Sequence, residues 1–208
     1  MTHRNQTPRL QLVTADTEYP VTLEEVKDHL GIDAPEDNGR LNGYIAAATQ
    51  FVEKSVRGGI AARTQTWDLV MPDFPGGQNS RGRVDFPKPP LQSVTTVKYL
   101  NTSSVLTTLT ENTDYIVQTD YRRAGWVVPM PDTFWPTVRD QRDDGVQIRF
   151  IAGHASNALV PANIRHAMML MIGHWNENRE AVATGTIASE IPLAAKDLIG
   201  MSEVGSYA

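Results

Sequence analysis

The side chains best suited to chemistry lie near the end of the sequence, where three histidines stand on or just before a predicted helix. His166 and His174 share that helix, and His154 precedes it. A helix that binds a metal usually presents histidines about four residues apart, on one face, whereas these two are two turns apart. No HExxH or HxH pattern completes a ligand set. The sequence therefore predicts neither a metal site nor a bound cofactor.

The stretch that follows His174 carries two carboxylates that could act as a general acid or base, Glu177 and Glu180. Their spacing places no nucleophile beside them, so a small hydrolase that uses Glu177 is the weaker interpretation. The stronger one is an interface, because Glu177, Arg179 and Glu180 lie at the solvated end of the predicted helix and can contact a neighbouring subunit. P-loop, GxGxxG and GxSxG motifs are also absent from the sequence, and we predict that the chain is not an enzyme.

Aromatic side chains form a second group of candidates. Trp67 and Trp126 fall on predicted strands and are expected to point into the core, although flat rings on strands can also bind carbohydrate. Phe134 and Trp135 lie in a long predicted loop, and an exposed aromatic cluster typically marks a partner surface. We therefore predict that Phe134 and Trp135 contribute to an interface.

Four helices are predicted, two on each side of a β region. The first begins with a capping box formed by Thr22 and Glu25 and ends at Gly31. Apolar residues at three- and four-residue spacing predict the second and third helices, whose apolar faces we expect to pack together. The fourth helix is short and is expected to carry an apolar face that includes Leu193. The predicted helices span residues 22–30, 40–57, 161–180 and 192–199.

Between the helices, residues 64–152 are predicted to form an antiparallel sheet or a small sandwich. Segments rich in β-branched and aromatic residues alternate there with clusters of proline, glycine, asparagine and aspartate. Two longer segments, Asp73–Gly82 and Met130–Gly145, are expected to be exposed loops. The predicted fold class is α+β, a small helical bundle with an inserted antiparallel β region. Residues 1–20 are predicted to be an N-terminal arm, 21–200 a single domain and 201–208 a C-terminal tail.

Composition excludes several classes of function. The 208 residues carry a formal net charge of -5, which argues against a protein that binds nucleic acid by neutralising its phosphates. The chain has no cysteine, which excludes disulfides and cysteine nucleophiles and suits a reducing cytoplasm. No apolar segment reaches the length of a signal-peptide core or a membrane span, so we expect neither export by a signal peptide nor insertion into a membrane.

The order of these elements, together with several short motifs, resembles the head-tail connector, or adaptor, proteins of tailed phages, including prophage and gene-transfer-agent forms. The similar segments follow one another along most of the chain, and their shared order is more specific than any one of them. They are VTLEEVKDHL from Val21, the helix Tyr44–Arg57, TQTW from Thr64, PPLQSV from Pro89, IRFIAG from Ile148, HWNENRE from His174 and IPL from Ile191.

The resemblance implies a structural role in the neck of a virion that assembles in the cytoplasm of a bacterial host. It implies a ring of twelve copies beneath the portal protein, with a stopper or tail-completion protein as the partner on the other side. DNA is expected to pass through the ring without sequence-specific binding. The segment from Gly200, including Met201, Val204 and Tyr207, is the part that we expect to reach the portal.

A module of the phage tail that binds carbohydrate or a receptor is the alternative from a different class. In that interpretation the strand aromatics Trp67 and Trp126 would present their rings to sugars. Self-association into a closed ring would count against this alternative and against the hydrolase.

Overall fold

The computed structural model describes residues 8–55, 60–77, 79–119, 124–140, 142–178 and 192–201. These residues divide into two compact units. The β unit comprises the chain up to Ala15 together with Thr64–Gly153, and the helical unit comprises Asp16–Arg63 together with the chain from His154. The β unit is thus inserted between the two halves of the helical unit, which confirms the predicted α+β class.

Eight strands form two antiparallel sheets in the β unit. They are β1 (Arg9–Ala15), β2 (Gln65–Met71), β3 (Val84–Asp85), β4 (Leu91–Leu100), β5 (Leu106–Leu109), β6 (Tyr115–Gln118), β7 (Trp126–Pro129) and β8 (Val146–Ala152). The larger sheet has the order β1-β2-β8-β4-β5, and the smaller one has the order β3-β7-β6. Strands β1 and β5 have no counterpart in the prediction. Residues 9–15 of the predicted N-terminal arm therefore belong to the sheet, because they pair with β2.

The larger sheet buries one face and exposes the other. Strands β2 and β8 bury side chains on one face with the two-residue period of a strand, whereas two register shifts place the buried residues of β4 three apart. The buried side chains of β2, β4 and β8 include Leu69, Met71, Val94, Val97, Ile148 and Phe150. Phe150 also packs on Phe86, with ring centroids 4.6 Å apart. On the polar face Asp68 lies directly opposite Arg149 and accepts two hydrogen bonds from its guanidinium, each 2.8 Å long.

The helical unit consists of α1 (Leu23–Leu30), α2 (Asn38–Ser55), α3 (Ala162–Glu177) and α4 (Leu193–Gly200). Each helix begins close to its predicted start. Short 3-10 turns at Pro35–Asp37 and Asn157–Leu159 precede α2 and α3. Among the described residues no helix combines the length and the apolar character that crossing a membrane requires.

The start of α1 is the capping box that the sequence predicts. The Thr22 amide donates to Glu25 Oε2 at 2.8 Å, and the Glu25 amide donates to Thr22 Oγ1 at 3.2 Å. Gly31 ends the helix in the left-handed region, with φ of 63°. Glu25 also accepts a hydrogen bond from Arg165 on α3. Burial raises the pKa of the Glu25 carboxyl, but the hydrogen bonds from Thr22 and the Arg165 charge outweigh it, so the pKa is lowered.

One apolar core joins all four helices, and it contains the predicted contact between α2 and α3. Its fully buried members on these two helices are Leu41, Ile45, Ala48, Val52, Ile164, Ala167, Met168, Met171 and Ile172. Tyr44 supports this contact, because its hydroxyl donates to the Trp175 carbonyl oxygen at 3.3 Å. Helix α4 contributes Ala195 and Ile199. Of the apolar residues of α4, Ile199 is buried whereas Leu193 is 74% exposed.

Candidate functional site

Exposed apolar side chains mark the surfaces of this chain that are best suited to bind another protein. In the described residues they occur on the two edge strands of the larger sheet, on the loop that carries Phe134, and on the helical unit. They are Leu12, Val13, Val105, Leu106, Phe134, Leu159, Leu193 and Met201. Five of them lie in the β unit and three in the helical unit, so each unit has exposed apolar side chains.

Trp135 lies inside the β unit. Only 1% of the residue is exposed, and its ring stacks on Phe74 with centroids 4.3 Å apart and planes 3° apart. The indole Nε1 donates to the Gly82 carbonyl oxygen at 2.6 Å. Burying so large a ring stabilises the fold more than exposing it, provided that the N–H finds an acceptor, as it does here. The prediction that Trp135 is exposed beside Phe134 is therefore wrong.

Trp135 also joins two loops that the sequence left as separate and exposed. We call residues 73–82 and 130–145 the loop pair. The Trp135 amide donates to the Ser80 carbonyl oxygen at 2.9 Å, and Arg81 Nε donates to the Thr133 carbonyl oxygen at 3.0 Å. Both loops are therefore held by one backbone hydrogen bond, one hydrogen bond from the Arg81 side chain to the backbone, and one buried aromatic stack. This arrangement presents the surface side chains of the loop pair on a fixed framework.

Phe134 is the exposed aromatic residue of the loop pair. Its residue exposure is 55%, and the guanidinium carbon of Arg81 lies 5.1 Å from its ring centroid. Arg81 also pairs with Asp132 at 3.4 Å. An aromatic side chain that is already oriented loses little conformational freedom on binding, which is the property of an interface anchor. The predicted interface role of Phe134 stays a prediction that this geometry favours.

Both strand tryptophans are half-buried. Trp67 shares the face of β2 on which Leu69 is buried, so it lies towards the core as expected. Trp126 alternates with the buried Val127, so the expectation that it points into the core is wrong. The Lys88 amine lies 5.4 Å from the Trp67 ring centroid, and the Arg83 guanidinium lies 5.3 Å from that of Trp126. A lysine or arginine side chain therefore occupies the position above each ring that a bound sugar would need. The geometry gives no support to the carbohydrate-binding alternative.

The polar end of α3 and the residues after α4 are the remaining predicted contacts. Glu177 is exposed at the last turn of α3. Met201, directly after α4, is 78% exposed. Arg179, Glu180, Val204 and Tyr207 lie outside the described residues. Their role at an interface stays a prediction, as does that of Glu177 and Met201.

The described residues contain no metal site built from histidine and carboxylate side chains. No three histidine, aspartate or glutamate side chains are grouped there in a way that could hold a metal ion. His154 is half-buried in the helical unit, and this burial lowers the pKa of its imidazole. The neutral imidazole is thus the form that the fold favours.

We predict that His154 makes the protein less stable in mild acid. The unfolded chain takes up the proton at the ordinary pKa of about 6.5, whereas the folded chain resists it. Stability is therefore complete above that pKa and falls as pH drops through the window below it, towards the lowered folded pKa. Urea unfolding at about pH 7.5 and about pH 5.5 measures this loss, which should be smaller in His154→Gln. An equal loss in the wild type and the variant would contradict the assignment to His154.

The sequence matches the family of phage gp6-like head-tail connector proteins over residues 20–125. This match spans about half of the 208 residues, and the chain belongs to that family. Membership of this family identifies the protein as a structural connector, in agreement with the order of the motifs in its sequence. No curated protein matches the sequence.

Solved structures from gene transfer agent (GTA) particles have the same fold. A chain from the virion of a native GTA particle is 20% identical, with a TM-score of 0.71. Chains from the neck of an empty particle, computed with C6 symmetry, and of a native particle, computed with C12 symmetry, are each 19% identical, with TM-scores of 0.69 and 0.65. Each likeness covers 96% of this chain and 97% of the other. At this identity the likeness shows the fold, and it extends through both units.

Proposed function

We propose that this connector forms a ring of twelve copies in the neck of a phage or phage-like particle. The ring binds the portal protein on one side and a stopper or tail-completion protein on the other, and it lengthens the channel through which DNA passes. The observation that carries the proposal is membership of the connector family, together with a fold shared along 96% of the chain with neck proteins solved under six- and twelve-fold symmetry.

The physical features of the chain support this role. A ring needs a heterologous interface, in which two different surfaces of each copy meet and the rotation between copies closes. The exposed apolar side chains of this chain lie on several separate surfaces. A net charge of -5 suits a channel wall that must not hold phosphates, so DNA passes without sequence-specific binding. The proposal requires no catalysis, cofactor or membrane.

The contacts are assigned by exposure for the described residues and by position in the sequence for the others. We place the portal contact on the C-terminal segment from Gly200, including Met201, Val204 and Tyr207. Phe134 on the loop pair is assigned to the stopper or tail-completion protein. Glu177, Arg179 and Glu180 at the end of α3 are assigned to neighbouring copies.

Co-sedimentation with portal rings encoded in the same genome tests the portal contact. The full chain should saturate near one copy per portal subunit, and a chain that lacks residues 202–208 should bind much more weakly. Phe134→Ala serves as the matched control, because it removes an exposed apolar group from a different surface and should leave portal binding unchanged. Absence of binding by the full chain at assembly-like concentrations would overturn the portal contact, and equal binding by the truncated chain would overturn its placement.

A further inference from the structure

The larger sheet of the β unit has two unpaired edges with an unusual composition. Strands β1 and β5 stand at the ends of the sheet order. Four of the exposed apolar side chains lie on or directly beside these edges: Leu12 (46% exposed) and Val13 (40%) on β1, and Leu106 (46%) and Val105 (57%) at β5. Edge strands of monomeric proteins usually carry charges or prolines that prevent pairing with another chain. Arg9 is the one charged residue on these two strands, and neither strand contains proline. Among the described residues both edges are therefore free to acquire a partner strand.

The direction of the strands fits a partner related by ring symmetry. Every neighbouring pair in the sheet is antiparallel, so β1 and β5, four steps apart, run in the same direction. In a twelve-fold ring the rotation between neighbouring copies is about 30°, which changes the direction of a strand little. Strand β5 of one copy therefore meets β1 of the next as a parallel pair.

The two edges also match in the length of their regular segments, and each has a leucine on the same face of the sheet. Strand β1 pairs regularly with β2 over Arg9–Leu12, and the register then shifts before Thr14. The regular segment is thus four residues long, as is β5 (Leu106–Leu109). Leu12 lies opposite Trp67, and Leu109 lies opposite Val97, so both leucines stand on the buried face of the sheet. A parallel pair in direct register places Leu12 beside Leu109.

We propose that neighbouring copies of the connector join through these edges, with β5 of one copy beside β1 of the next, so that the sheet continues around the ring. The partner of each edge is a second copy of this chain. The inference rests on the ring of the proposed function and adds a second contact between neighbouring copies to the one assigned to the end of α3. Leu12 and Leu109 then form an apolar contact on the inner face of the joint, while Gln11 and Thr108 share the polar face.

Site-specific cross-linking tests this pairing on portal-bound connector. The chain has no cysteine, so Leu12→Cys combined with Leu109→Cys places the only thiols at the joint. A short bis-maleimide should convert the portal-bound double variant into a ladder of covalent oligomers. Leu12→Cys combined with Asn42→Cys is the matched control, because Asn42 is exposed but lies on α2 in the helical unit, and it should give no ladder.

Charge substitutions provide a second test that does not depend on the cysteine variants. Leu12→Lys and Leu106→Lys introduce a charge at either edge and should each raise the concentration needed for half-maximal ring assembly by about tenfold or more. Asn42→Lys, at an exposed position on α2, should leave this concentration unchanged. Circular dichroism establishes that each variant is folded.

The outcomes separate this inference from the proposed function. A ladder in the double variant together with weakened assembly of both edge lysine variants supports the pairing. Three results would overturn the edge pairing and leave the portal role in place. The wild-type chain binds portals but the double cysteine variant gives no ladder, the cross-links lead to another protein, or Leu12→Lys assembles normally. Failure of the wild-type chain to assemble on portals would overturn both.

Discussion

Replacing Trp135 by alanine is expected to lower the free energy of unfolding by about 3–5 kcal/mol, the usual loss for a buried tryptophan. The substitution removes a ring that is 1% exposed and stacked on Phe74, and it leaves the Gly82 carbonyl oxygen without its indole donor. The two loops of the loop pair then lose their common anchor. Urea unfolding followed by far-ultraviolet circular dichroism measures the effect.

Two further variants show which feature of Trp135 causes the loss of stability. Phe134→Ala changes the neighbouring aromatic residue, which is 55% exposed, and should cost less than about 1 kcal/mol. Trp135→Phe keeps a ring against Phe74 but loses the hydrogen bond to Gly82, so its loss should be intermediate. Equal stability of Trp135→Ala and Phe134→Ala would contradict the structure of the loop pair.

A second large effect is expected from Gly145→Ala. Gly145 is buried at the start of β8, and an added methyl group would overlap the Pro72 carbonyl oxygen and lie 2.6 Å from Val138 Cγ1. Because the Pro72 oxygen belongs to the backbone, a side-chain rotation cannot relieve the overlap. Overpacking of this kind costs about 1–3 kcal/mol, and the backbone contact places the expected loss towards the upper end of that range.

Gly43→Ala is the matched control for the same chemical change. Gly43 is exposed on α2, and nothing lies within 4 Å of the added methyl group. Alanine is the better helix former, so this variant should gain roughly 0.5–1 kcal/mol. The two glycine variants should therefore shift the urea midpoint in opposite directions. A Gly145→Ala protein as stable as the wild type would show that β8 and Pro72 are not packed as described.

The helices were predictable because their signals are local. The Thr22–Glu25 capping box and Gly31 lie within one short segment, and together they define both ends of α1. The apolar periodicity of α2 and α3 identifies the faces that meet in the helical core. For such elements the sequence around each residue contains most of the information that positions it.

The features that the sequence did not predict depend on distant partners. Strand β1 pairs with β2, which lies more than fifty residues further along the chain, and Trp135 donates to a carbonyl oxygen 53 residues before it. Strand β5 is four residues long and half-exposed, too short for a clear alternating pattern. The expectation that Trp135 is exposed was wrong for the same reason, since the acceptor and the ring that bury it lie in the other loop.

The burial of Trp135 changes how the candidate interface is understood. Its ring positions the loop that presents Phe134. We therefore propose that Trp135 stabilises the loop and that Phe134 makes the contact with the stopper or tail-completion protein. Binding of the tail-side protein should accordingly fail in Phe134→Ala although the variant folds normally.

Native mass spectrometry of the connector bound to portal rings from the same genome tests the central claim most directly. The account predicts that the portal gains one 23.0 kDa connector chain per portal subunit, in a single saturated species. Two results would contradict the proposal that the connector forms a ring on the portal. Portal rings gain no mass at saturating connector concentration, or they gain a number of copies unrelated to their own subunit number.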